Sequence, residues 1–216
     1  MKIEAVVFDM DGLMFDTEGL WLRGVEKTNS ECGYNVPLEL IIKCIGHRKD
    51  KIDIMLKNAL GQDFNTEKFR ELNRKYMEEE IASLGLKKKK GLDELLEFLY
   101  GKNIKVAIAS SSSFERVHSR LQQAGVSDKY FDKIVGGNMV TEPKPAPDIY
   151  LIACRKLGVN PENTLALEDS DAGILSAHLA GLKPILIPDI KTPKPETEKI
   201  AYRKFNDLSE VISLFE

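Results

Sequence analysis

The chain has few cysteines, a single tryptophan and no long apolar run. Cys32, Cys44 and Cys154 are odd in number, widely spaced and without a C-x-x-C pair. No disulfide framework is expected from them; they read as reduced, mostly buried thiols of a cytoplasmic protein. The apolar run near the N-terminus stops at Asp9, far short of a signal peptide or a membrane span. An excess of one charge is lacking too. A net charge of −3 gives no general attraction to nucleic acid or to an anionic membrane surface. There is no internal repeat and no low-complexity segment. What is present is ordinary for a globular protein: 43% hydrophobic and 30% charged over 216 residues. That is enough for one large domain, or for a core with a smaller insertion. A monomer is expected.

Residues 3–8, 104–109, 133–136, 164–167 and 184–187 read as strands. They are apolar on consecutive positions, as strands covered on both faces of a parallel sheet must be. Between them, Phe114, Val117, Leu121 and Ala124 recur at helical spacing, as do Ile149, Ile152, Ala153 and Leu157. Gly125, Gly158 and Gly181 fall where these helices should stop. Strand, helix, glycine, strand is the rhythm of a doubly wound α/β domain. Residues 17–86 differ. Leu38, Ile41, Ile42 and Ile45 mark one helix face, Phe69, Leu72 and Tyr76 another, and no strand is evident. The expected organisation is an α/β core of residues 1–16 and 87–216 with an all-helical cap of residues 17–86. The lysine run at residues 87–90, at the return crossing, reads as a solvated linker or as a phosphate-attracting patch.

Chemistry concentrates at the ends of the expected strands. Asp9-Met10-Asp11-Gly12 follows the first, where ligands bind in open α/β sheets. Two carboxylates that close repel unless a divalent cation compensates them, and Gly12 lets the chain turn around them. Four serines, Ser110 to Ser113, follow the second strand; one can donate to a phosphate oxygen while another caps the helix before Phe114. In Glu142-Pro143-Lys144-Pro145-Ala146-Pro147 the prolines stiffen the backbone around one lysine, a mount that a mobile surface lysine does not need. Glu168-Asp169 ends the fourth strand and suits Mg²⁺, which favours oxygen ligands. Asp171 and Ser170 read as N-cap residues of the next helix.

These elements, in this order, resemble the haloacid dehalogenase superfamily, in the branch whose helical cap follows the first strand. The pattern is similar to that of β-phosphoglucomutase-like proteins and small sugar-phosphate phosphatases. The resemblance implies a Rossmann-like core and an Mg²⁺-dependent enzyme acting on a small phosphorylated metabolite through an aspartyl phosphate. It implies Asp9 as nucleophile, Asp11 as general acid/base, and Ser110, Ser111 and Lys144 on the phosphate. Mg²⁺ would lie between Asp9, Asp169 and the main-chain carbonyl of Asp11, with Glu168 a further candidate. In the cap, His47 and Arg48 are polar and basic after an apolar helix, so they are either sugar-phosphate contacts or a plain helix terminus. The phosphomutases of this branch carry a histidine where Trp21 stands here, which favours a phosphatase over a mutase. Lys90 replaces a proline found in many relatives, implying a looser second crossing. A phospho-accepting receiver domain also combines an acidic cluster, a hydroxyl and a lysine. Such a domain has no use for a helical insertion of about 70 residues.

Overall fold

In a computed structural model, residues 2–47 and 49–215 are described. The chain divides into two units, Met1–Asp16 with Leu86–Glu216, and Thr17–Gly85.

The first unit is built on six parallel strands in the order β3-β2-β1-β4-β5-β6. They are β1 (Ala5–Phe8), β2 (Lys105–Ser110), β3 (Lys133–Gly136), β4 (Thr164–Glu168), β5 (Lys183–Leu186) and β6 (Arg203–Lys204). Every residue of β1 and β4 is buried. Side chains alternate across a strand, so both faces of the sheet centre are covered. On one face Ala5, Val7, Ala107, Ala109 and Val135 pack against Ile149, Tyr150, Ala153 and Leu157 of α7 (Asp148–Leu157) and Ala177 of α8 (Asp171–Leu179). The small alanines of β1 and β2 let α7 approach closely enough to bring Tyr150 into the core. Two further helices of this unit are α5 (Leu92–Gly101), with Leu92, Leu95, Leu96 and Leu99 buried, and α6 (Phe114–Gln123). A short helix, α9 (Pro195–Ile200), precedes β6. Strand β6 was not foreseen from sequence. It is two exposed residues, joined by Tyr202 N–H to Pro184 O (2.7 Å) and Phe205 N–H to Leu186 O (3.0 Å).

The second unit is all helical: α1 (Thr17–Cys32), α2 (Leu38–Cys44), α3 (Lys49–Leu60) and α4 (Thr66–Leu84). Val25, Val36, Ile41, Leu56 and Phe69 form its core, and the half-buried Trp21 packs against them. Tyr34, Phe64 and Phe69 contact one another within it, Tyr34 edge-on to Phe64 and the other two pairs tilted, with ring centroids 5.4–5.8 Å apart. Asn65 caps α4 by accepting from Lys68 N–H at 2.9 Å. No helix among the described residues is long and apolar enough to cross a membrane.

Three local expectations are corrected. Leu86 belongs with the α/β unit, because its N–H donates to Gln123 O at 3.0 Å and its side chain is buried. The lysine run is not a free linker. Asp16 N–H donates to Lys87 O and Lys89 N–H to Met14 O (2.9 Å each), laying the two crossing segments side by side. The side chains of Lys88, Lys89 and Lys90 pair with Asp93, Asp189 and Asp207. Of Ser170 and Asp171, only the serine caps α8, accepting from Gly173 N–H at 3.1 Å. Asp171 instead accepts from Lys194 N–H (3.0 Å) and from the Thr197 hydroxyl, fastening the start of α9.

Candidate active site

Strand order reverses between β1 and β4, so their carboxyl ends open the crevice in which α/β sheets bind ligands. Asp9 continues β1 by donating its N–H to Leu167 O at 3.0 Å. The chain then turns at once, with Met14 N–H to Met10 O at 2.9 Å and Gly12 N–H to Phe15 O at 3.1 Å. Gly12 sits at φ +85°, and a Cβ there would run into the Asp169 carboxylate. The turn therefore needs glycine on both counts.

At the end of β2, Ser110 is buried and its Oγ accepts from Ser112 N–H at 3.1 Å. An accepting hydroxyl still has its own proton to donate. Ser111 is exposed on the same turn. Ser113 caps α6, accepting from Arg116 N–H at 3.3 Å. Ser112, which sequence reasoning did not single out, donates its hydroxyl to Asp11 Oδ2 at 2.8 Å. It thereby fixes one oxygen of the Asp11 carboxylate.

Lys144 is the hub. Its Nζ donates to Asp9 Oδ1 and Glu168 Oε1 (2.6 Å each) and to Ala109 O at 2.9 Å. The Tyr150 hydroxyl lies 3.3 Å from the same nitrogen and itself donates to Glu168 Oε1 at 2.7 Å. The Lys144 side chain is only 6% exposed. Burial pulls its ammonium pKa down, but the charges of Asp9 and Glu168 outweigh that and hold it above the ordinary lysine value. Burial pushes the Asp9 carboxyl up, to about 7, against the pull of Lys144 and with help from the Glu168 charge. Tyr150, raised by burial and by Glu168, stays a donor. It escapes a reading of the sequence because an aromatic beside a helical apolar stripe looks like plain core.

One carboxylate oxygen from each of Asp9, Glu168 and Asp169 lies within 4.8 Å of the others, and all three residues are buried. The Asp11 carboxylate is not in that group. Three buried carboxylates against one lysine leave an excess of negative charge that a divalent cation with oxygen preference would balance. The donor set thus fits Mg²⁺. Glu168 has both oxygens engaged, Oε1 by Lys144 and Tyr150, Oε2 by Ser170 N–H (3.4 Å) and its hydroxyl (3.1 Å). Its carboxylate is packed onto Gly173, where a Cβ would land on it. Gly173→Ala should therefore displace Glu168, cost about 1–3 kcal/mol of stability and lower kcat/KM at least tenfold. Thermal melts and steady-state kinetics check both. His47 lies between α2 and α3 in the helical unit, half-buried, its backbone N–H donating to Cys44 O at 3.1 Å. Arg48 lies outside the described residues.

Such a core with an inserted helical unit and carboxylates at two adjacent strand ends defines a class of hydrolases. Residues 6–187 match the family model described as haloacid dehalogenase-like hydrolase. The chain belongs to that family, in its β-phosphoglucomutase-like branch. It is 33% identical over 183 residues to a phosphorylated carbohydrates phosphatase of Thermotoga maritima, covering 85% of this chain and 84% of the relative. A structure titled as a putative β-phosphoglucomutase from Thermotoga maritima superposes with a TM-score of 0.81 at 29% identity, over 98% of both chains. CbbY from Rhodobacter sphaeroides, solved in complex with xylulose-(1,5)bisphosphate, gives a TM-score of 0.75 at 27% identity over 96% of both chains.

Proposed function

We propose that this chain is a cytoplasmic, monomeric, Mg²⁺-dependent phosphatase. Its substrate is a small phosphorylated metabolite, a sugar or polyol phosphate, hydrolysed through an aspartyl phosphate on Asp9. The observation that carries the reading is the Lys144 ammonium, shared at 2.6 Å between Asp9 and Glu168 beside a three-carboxylate group. The substrate class rests on the names of the carbohydrate phosphatase and of the sugar bisphosphate complex.

Asp9, Asp169 and the main-chain carbonyl of Asp11 would hold Mg²⁺, which when bound offsets the charge of carboxylate and phosphate. Ser110, Ser111 and Lys144 take the phosphate oxygens. An Asp9 oxygen attacks phosphorus; the bond to the ester oxygen breaks, and the leaving alcohol takes a proton from Asp11. Asp11, now ionised and held by Ser112, takes a proton from water as that water attacks the phosphoryl group. Inorganic phosphate leaves and the Asp9 carboxylate is restored. Dividing one of the slowest uncatalysed hydrolyses in this way makes two easier steps. His47 and Arg48 are candidates for contacting the rest of the substrate.

The second reading, a sugar phosphomutase, is raised by the β-phosphoglucomutase title of the similar structure. Trp21 argues against it. The indole packs in the core of the helical unit beside Val25, and its only polar group is an N–H that cannot shuttle a proton near neutral pH. Incubation with β-glucose 1-phosphate, a trace of the bisphosphate and Mg²⁺ should release inorganic phosphate with little glucose 6-phosphate. A chelator should abolish that release. Rapid glucose 6-phosphate without inorganic phosphate would establish the mutase, and full release in verified metal-free buffer would remove the cation.

A further inference from the structure

Asp189 follows β5 by three residues, and its carboxylate is half satisfied. Lys89 takes Oδ1. Oδ2 is buried without a hydrogen-bond partner among the described residues, and the side chain as a whole is only 8% exposed. That oxygen lies 3.4 Å from the point a Cβ on Gly12 would occupy, and Asp169 Oδ2 abuts the same point. The order β1-β4-β5 explains the meeting, since the three strand ends are neighbours in the sheet. Two carboxylate oxygens therefore face the bare Cα of Gly12, and one of them is without a donor. A buried acceptor left unpaired is costly and demands a partner. Asp189 is not one of the three carboxylates close enough to share an ion, which are Asp9, Glu168 and Asp169 among the described residues. It stands outside that group, next to Gly12 as Asp169 does.

We propose that Asp189 is a positioning residue of the cation site, its Oδ2 accepting a hydrogen bond from a water carried by the ion that Asp169 holds. Lys89 sets which oxygen faces the ion. This gives the lysine run a function that neither a linker nor a phosphate-attracting patch supplies: Lys89 is the bracket of an outer ligand. Outer partners of this kind typically govern metal affinity by 10–100-fold. The inference rests on the proposed Mg²⁺ site.

Asp189→Asn tests it with little change of shape. Lys89 requires an acceptor at the Oδ1 position, so the amide must place its NH₂ where Oδ2 stood, offering a donor in place of an acceptor. Mg²⁺ is titrated calorimetrically into the metal-free full chain without substrate, beside wild type, Asp189→Ala and Asp207→Asn. The last breaks the neighbouring Lys90–Asp207 pair (2.7 Å) and serves as the control for a loosened crossing. The expected result is a Kd at least tenfold weaker for both Asp189 variants, with Asp207→Asn unchanged. Wild-type affinity in the Asp189 variants, or equal weakening in all three, would make Asp189 merely structural and leave the phosphatase reading standing. No Mg²⁺ binding by wild type would overturn both.

Discussion

Asp9→Asn should lose at least about 10⁴-fold in turnover while making the metal-free protein more stable at pH 8. The first effect follows because an amide cannot form the acyl phosphate. The second follows from the Asp9 carboxyl, pushed by burial from 3.8 to about 7 in the folded state. A carboxyl raised on folding contributes stability that is complete below its unfolded value and is lost as pH rises through the folded value. Above pH 7 the wild-type chain carries an ionised group in a site that disfavours it. Asparagine does not, and its carbonyl can still accept from Lys144. The gain should be about 2–4 °C in Tm, or roughly 1 kcal/mol at this length, and should vanish below pH 4. Saturating Mg²⁺ should reverse the order of the two proteins. Turnover within tenfold of wild type, in a preparation shown by mass to be free of deamidation, would remove Asp9 as nucleophile.

Lys144→Ala should damage both activity and fold. The ammonium bonds to Asp9 and Glu168, which are 11% and 0% exposed, so its removal leaves two buried carboxylates without a counter-ion. Breaking such an arrangement costs about 3–5 kcal/mol. The phosphoryl group also loses its positive contact, which should lower kcat/KM by roughly 10³-fold. Two further results separate the causes. Mg²⁺ should restore part of the lost Tm without restoring activity. Adding Asp9→Asn to Lys144→Ala should recover stability, because the second change removes a charge the first left stranded. A kcat/KM within fivefold of wild type would reduce the proline-flanked segment to a structural role.

What the sequence revealed and what it hid divide along one physical line. Strands β1 to β5 are legible because a sheet covered on both faces demands apolar residues on consecutive positions. Strand β6, an exposed Arg-Lys pair held by backbone hydrogen bonds, carries no such signal. Asp9, Lys144 and Asp169 are legible because acidic pairs and proline brackets at strand ends are local features. Tyr150 looks like core, and it is core; only the three-dimensional fold shows its hydroxyl on Glu168. The Lys89–Asp189 pair spans 100 residues and depends on strand order, which no local pattern encodes. Ser170 and Asp171 are adjacent capping types, and where α8 begins decides between them.

The most direct test is capture of the covalent intermediate. The enzyme with Mg²⁺ is mixed with a sugar phosphate it turns over, quenched within one turnover and reduced with tritiated borohydride, which converts an acyl phosphate to a labelled alcohol. Peptide mapping should find the label on the peptide containing residues 8–12, at position 9 alone, and none without substrate. Turnover with no label at position 9, or label on another residue, would contradict the aspartyl-phosphate assignment.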